Sequence, residues 1–135
     1  MVHGLDKSIQ RVQCSDDLID RVLTAATTVH KILGPGLLES IYEKALLLEL
    51  RKQGIKANSQ VKVPVYYGDV ELGTGFRADI IVDGCLLLEL KSVESITDIH
   101  ISQVITYLKL LNFKRGFLLN FNRSYLKQGI KRILI

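Results

Sequence analysis

The chain has 135 residues, 47% of them hydrophobic and 24% charged, with 18 Lys and Arg against 14 Asp and Glu for a net charge of +4. That size suits a single domain, residues 1–135, able to bury its own core, and the composition excludes a disordered or fibrous chain. The small excess of base fits a solvated surface or a polyanionic partner. No apolar run reaches the roughly 18 residues of a membrane span, so no membrane partner is expected. Residues 1–10 lack the apolar core of a signal peptide, which points to the cytoplasm. The two cysteines, Cys14 and Cys85, make no disulfide framework and match no zinc spacing, so Cys85 is expected to be a small buried hydrophobe.

Residues 16–33 carry Leu18, Ile19, Val22, Leu23, Ala26, Val29 and Leu33 at helical spacing, with Ser15 or Asp16 placed to cap the helix. Gly34-Pro35-Gly36 breaks the chain, and a second helix runs from about residue 37 to 53, stopping at Gly54. Its apolar residues wrap much of its surface, so it should be well buried. Residues 61–67 read as a strand whose Pro64 requires an edge or a bulge. Gly68-Asp69 turns it into a second strand, 70–82, bent at Gly73-Thr74-Gly75, and Asp83-Gly84 turns that into a third, 85–91. Helical spacing returns from about residue 95 to 112. The apolar run 116–121 then suits a buried strand, parallel to the third and reached by a right-handed crossover. Residues 129–135 allow one more strand.

Charge is embedded in two of these apolar strands. Asp79 lies in ADIIV, and Glu89 and Lys91 lie in LLLELK. Burying a carboxylate is costly unless it is paired, protonated or metal-bound. Glu89 and Lys91, two apart, share a sheet face. A loop of residues 82–84, with Gly84 at positive φ, would set Ile81 across from Cys85 and Asp79 across from Leu87, leaving Glu89 diagonal to Asp79 and within reach of one cation. Such oxygen donors suit Mg²⁺ or Mn²⁺, and Lys91 could orient water or stabilise charge on a phosphoryl group. A plain surface Asp–Lys or Glu–Lys pair at a strand end is the simpler alternative. Carboxylates sharing one place should raise at least one pKa when no metal is bound.

This arrangement resembles the PD-(D/E)XK nuclease superfamily, and within it the GxxExxY family. Gly36-Leu37-Leu38-Glu39-Ser40-Ile41-Tyr42 is the name-giving motif; Arg77-Ala78-Asp79, Glu89-Leu90-Lys91, His100-Ile101-Ser102-Gln103 with Tyr107-Leu108, and Asn120-Phe121 fit the elements that follow. The similarity runs over about residues 16–135. Ala78 stands where the superfamily often has Pro, a variable position. The resemblance implies an α/β, restriction-endonuclease-like core (αβββαβ) with a mixed central sheet flanked by helices. It implies Asp79, Glu89, Lys91, Glu39 and Gln103 as catalytic residues, with Asp79, Glu89 and Glu39 holding Mg²⁺ or Mn²⁺. Gln103 and Tyr107 correspond to a Gln-x-x-x-Tyr element that supports the site or contacts DNA, and His100 and Tyr42 join them as supporting residues or as packing. For Glu39, favouring the positive end of a helix dipole is the plainer role. Lys114, Arg115, Arg123, Lys127, Lys131 and Arg132 form a basic C-terminal third, either a phosphate-binding patch or a solvated face.

The expected function is a metal-dependent nuclease hydrolysing phosphodiester bonds, with DNA as substrate. The alternative is a non-catalytic nucleic-acid- or partner-binding module on the same fold. With no separate DNA-reading domain, sequence specificity would need a homodimer or another partner.

Overall fold

A computed structural model describes residues 10–135. Of the residues 1–10 read as carrying no leader, 1–9 lie outside the described part. Helix α1 (Asp16–Leu33) begins at Ser15, whose side chain accepts the Leu18 amide, and carries Asp16 and Asp17 in its first turn, where the helix dipole favours negative charge. Helix α2 (Glu39–Lys52) follows. Strands β1 (Ala57–Tyr67), β2 (Val70–Val82) and β3 (Leu86–Lys91) form an antiparallel meander. Helix α3 (Asp98–Leu111) crosses over to β4 (Arg115–Asn120), which pairs parallel to β3. A 3-10 turn (Leu126–Gly129) leads into β5 (Ile130–Leu134), antiparallel to β4. The sheet order is β1-β2-β3-β4-β5, a mixed sheet flanked by helices, as the αβββαβ pattern requires.

The sheet is buried on both faces. On one, Val22, Val29, Tyr42, Leu46 and Leu50 of α1 and α2 pack on Ile80, Val82, Leu88, Leu90 and Leu119. On the other, Val104 and Leu108 of α3 pack on Ile81, Leu87, Leu118 and Ile133. β3 is therefore apolar almost throughout. Helix α2 is less buried than its composition suggests. Only Tyr42, Leu46, Leu47 and Leu50 are covered, while Leu38, Ile41 and Leu48 are exposed, because α1 and the sheet take one side of it.

Two devices set the hairpin registers. Pro64 lies on edge strand β1 at a register shift, opposite the bend at Gly73-Thr74-Gly75. Gly75 is bulged out of the pairing, and a Cβ there would collide with Val65. At the β2–β3 turn, Asp83 and Gly84 have φ of 49° and 63°, and the Cys85 amide closes the turn on Val82 O at 3.0 Å. Val82 then pairs with Leu86 and Ile81 with Leu87, so the extra residue is Cys85 and the loop is residues 83–85. The expected pairings of Ile81 with Cys85 and Asp79 with Leu87 are thus displaced by two residues along β3.

Cys85 is not a lone hydrophobe. It forms a disulfide with Cys14, with Cα atoms 5.4 Å apart. The spacing gave no sign of it, because 71 residues separate the two. The bridge pins the bulge residue to the segment just before α1, where Val12 also pairs with Phe113. A long closed loop restricts the unfolded chain, and such bridges typically contribute 2–4 kcal/mol. Cys14→Ser, or reduction of the native protein, should lower unfolding stability by roughly 2–4 kcal/mol. Denaturant unfolding with and without reductant measures this, and identical midpoints would show that the bridge contributes nothing.

Candidate metal and phosphate site

The β2–β3 pairing ends at Ile80↔Leu88. Continuing that register brings Asp79 across from Glu89 rather than diagonal to it. Here side chains replace the ladder: Asp79 N donates to Glu89 Oε1 at 3.2 Å, and Leu90 N donates to Asp79 Oδ2 at 2.9 Å. Beyond this fork β2 continues with β1 alone.

The same point is a crossing of faces. Ala57, Ile80 and Val82 belong to the α1–α2 side, whereas Val61, Val63 and Ala78 belong to the α3 side. Strict alternation would keep 57, 61 and 63 together. The break falls at Gln60, whose φ is 51° and whose position is skipped in the pairing with β2. Asp79, at the crossing, thereby meets groups from both sides.

On the α2 side, a cavity of about 280 Å³ is lined by Glu39, Ser40, Glu43, Gln60, Asp79 and Leu90. Glu39, the first residue of α2, accepts the Ser92 amide at 3.2 Å, and Ser92 Oγ donates to Leu37 O at 2.8 Å. These bonds fasten the exit of β3 to the start of α2. Asn120, buried in β4, secures the same exit by accepting Val93 N at 3.1 Å and donating to Val93 O at 2.9 Å. Gln60 Nε2 donates to Glu43 Oε1 at 2.7 Å and reaches Asp79 Oδ1 at 3.5 Å.

On the α3 side, Tyr107 stacks on Phe76 with ring centroids 3.7 Å apart. Burial raises its phenol pKa, and the charges of Glu89 and then Asp79 raise it further. Lys91 is half-buried and close enough to favour the charged form of Glu89. Gln103 is exposed on α3 and does not line the cavity. His100 and Tyr42 have other partners. His100 Nδ1 accepts the Thr97 amide at 3.0 Å, closing the capping box of α3. Tyr42 is fully buried, stacks on Phe121, donates to Gly34 O at 2.6 Å and accepts the Leu37 amide at 3.0 Å, thereby clamping the Gly-Pro-Gly loop. Of the basic C-terminal residues, Arg115 pairs with Asp16 and Arg132 lies over the Phe117 ring.

Three polar residues were not read as site candidates. Glu43, four residues after Glu39, shares its face of α2, a spacing that could have marked it, whereas Gln60 joins the cavity through contacts that no local spacing announces. His30 is buried in α1 with Nε2 facing the carbonyls of Phe121 and Arg123 at 3.1 and 2.8 Å, so Nε2 carries the proton and donates. It braces the chain after β4 rather than the cavity.

Among the described residues no three His, Cys, Asp or Glu side chains form a ready-made metal cage. The donor set suits a different kind of ion. Mg²⁺ keeps much of its water and is commonly held by one or two carboxylates. Asp79 and Glu89 are two carboxylates at one fork, each with one oxygen engaged by a backbone amide. Glu39 is a third carboxylate lining the same cavity as Asp79. Glu89 is 6% exposed. Its carboxyl is pushed from 4.5 up to about 8, first by burial and then by the Asp79 charge. A cation is the natural relief of that repulsion.

A family model described as the PD-(D/E)XK nuclease superfamily matches residues 16–133. No curated protein and no solved structure matches the chain.

The Glu89 shift has a definite sign for stability. The folded protein keeps a proton on Glu89 up to about 8, whereas the unfolded carboxyl releases it near 4.5. Between those values the unfolded state binds fewer protons, so stability falls as pH rises through that window. Metal-free protein should lose a few kcal/mol between about pH 5 and about pH 8.5, and Glu89→Gln should flatten that slope. Melting curves in a chelator across this range are the check. A wild-type slope that matches the variant's would contradict the assignment.

Proposed function

From the premise that the chain belongs to the PD-(D/E)XK nuclease superfamily, we propose that it is a metal-dependent nuclease of the GxxExxY type, cutting phosphodiester bonds in DNA. The observation that carries this reading is the Asp79–Glu89 pair at the fork of β2 and β3, with Lys91 two residues on along the same strand. The chain is taken as one such domain, acting in the cytoplasm.

Asp79 and Glu89 would hold Mg²⁺ or Mn²⁺, with Glu39 contributing from α2. When bound, the ion supplies Lewis acidity toward a phosphate oxygen. The chain's own residues do the rest. Leu90 N and Asp79 N fix the two carboxylates, so they need not reorganise when substrate arrives. Lys91 carries a fixed positive charge that orients water and stabilises negative charge growing on the phosphoryl group. Tyr107, stacked on Phe76, would close the α3 side, and Gln103, one turn earlier on α3 and exposed, would contact the strand being cut.

The nucleic-acid backbone would pass along a cleft of about 440 Å³ between β1 and the last turns of α3, whose mostly apolar lining includes Lys62 and Lys109. Binding through such contacts weakens as salt rises.

Cleavage of single- and double-stranded DNA and RNA with Mg²⁺ or Mn²⁺ tests the reading. Lys91→Ala should bind Mn²⁺ as the wild type does and cut slower by on the order of 10²–10³-fold. Asp79→Asn and Glu89→Gln should lose metal affinity and cleavage together. A wild type that binds nucleic acid in a salt-dependent way but cuts none of these substrates with either metal would be a binding module instead.

A further inference from the structure

Gln60 is the one residue inside β1 whose backbone leaves strand geometry. Its φ of 51° lies in the left-handed region that L side chains rarely adopt. The other left-handed non-glycine residues have ordinary reasons: Asp83 makes a hairpin turn and Asn112 caps the C-terminus of α3. Gln60 sits inside a paired strand, between Ser59↔Ile80 and Val61↔Ala78, where no turn requires it. Backbone strain of this kind persists when the surroundings over-determine it, and it gathers at functional sites.

The side chain shows what the conformation delivers. One amide nitrogen carries two protons. Gln60 Nε2 makes a short bond to Glu43 Oε1, 2.7 Å, and stands at the long limit of bonding, 3.5 Å, from Asp79 Oδ1. Asp79 is held from the opposite side, where Oδ2 accepts the Leu90 amide at 2.9 Å. Its carboxylate thus lies between a backbone amide of β3 and a side-chain amide of β1. Glu43 anchors that side-chain amide to α2, the helix that also carries Glu39. Because the amide is neutral, it donates to two carboxylates without cancelling the charge a cation would need. A lysine there would cancel it, and a third carboxylate would add repulsion.

We infer that Gln60 is a positioning residue. Its left-handed backbone presents the amide that orients the Asp79 carboxylate, and the bond to Glu43 fixes that amide in place. The inference rests on Asp79 being a metal ligand, and it adds Gln60 and Glu43 as the outer partners of that ligand. Outer partners of this kind commonly change metal affinity 10–100-fold when removed.

The decisive variant is Gln60→Gly, because glycine adopts positive φ freely and so removes the amide without keeping the strain. The Gly variant should melt at or above the wild-type temperature while its Mn²⁺ dissociation constant, by titration calorimetry, rises roughly 10–100-fold. Gln60→Ala loses the amide and keeps the strain, so it should melt lower yet show the same loss of Mn²⁺ affinity. A purely structural Gln60 gives the reverse pattern, with melting temperatures that move and Mn²⁺ affinities that do not, and that result overturns the inference. A wild type that binds no Mn²⁺ defeats the proposed function instead. The role of Gln60 is then read from crystal structures of the metal-free wild type and Gln60→Gly proteins. The Asp79 carboxylate should turn away from the Leu90 amide in the variant, and an unmoved Asp79 overturns the inference.

Discussion

Two strands part at Asp79 and Glu89, and the carboxylates of those residues take the amides that the parting would leave bare. A buried amide without an acceptor is nearly as unfavourable as a lost hydrogen bond. Where β2 diverges from β3, Glu89 accepts from the Asp79 amide and Asp79 accepts from the Leu90 amide. The fork therefore needs acceptors that reach across it, and an aliphatic side chain at either position could not serve. The carboxylates need the fork in turn, because those amides offset part of their mutual repulsion. Burial first, and then the repulsion that is not offset, keep the pKa of Glu89 raised.

Everything that locates the fork lies one step outward. The register that sets Asp79 against Glu89 comes from the turn at Asp83-Gly84 and the bulge at Cys85, which the disulfide holds to the segment before α1. The far end of β3 is fastened by Glu39, Ser92 and Asn120, so α2 and β4 both grip the strand just after Lys91. Tyr42 in turn fixes the loop from which Glu39 emerges. Tyr42 and His100 are in this sense structural: one sets the start of α2 and the other the start of α3.

Much of this could be read from the chain because it is periodic. The bounds of α1, its Ser15 cap, the strand 70–82, the parallel crossover and the demotion of Pro64 to an edge all follow from spacing and local stereochemistry. The features that could not be read are pairwise and non-local. Cys14 and Cys85 meet only because the sheet brings the β2–β3 turn back to the start of α1. A loop shifted by one residue keeps the parity that joins Asp79 to Glu89, so parity alone could not tell a diagonal neighbour from a direct one. The exposed side of α2 was hidden because composition reports how apolar a helix is, not how many neighbours it has. Gln60 was hidden because left-handed φ in a strand has no local signature outside glycine, asparagine and aspartate.

The β3 sequence shows why the carboxylate pair is more than a local repair. LLLELK is buried at every position but the last, Lys91, and leucines fill every buried position except Glu89. Replacing a buried ionisable group by a well-packed hydrophobe is often neutral or stabilising, so folding alone gives little reason for glutamate there. The need for an acceptor at the fork is a partial reason, but a glutamine would accept the Asp79 amide without charge or repulsion. Glutamate differs from glutamine in being all acceptor, with no N–H to satisfy, and in the charge it offers a cation or a proton. A side chain that folding would exchange for a neutral one, held beside a second carboxylate, is what the proposed metal site would call for.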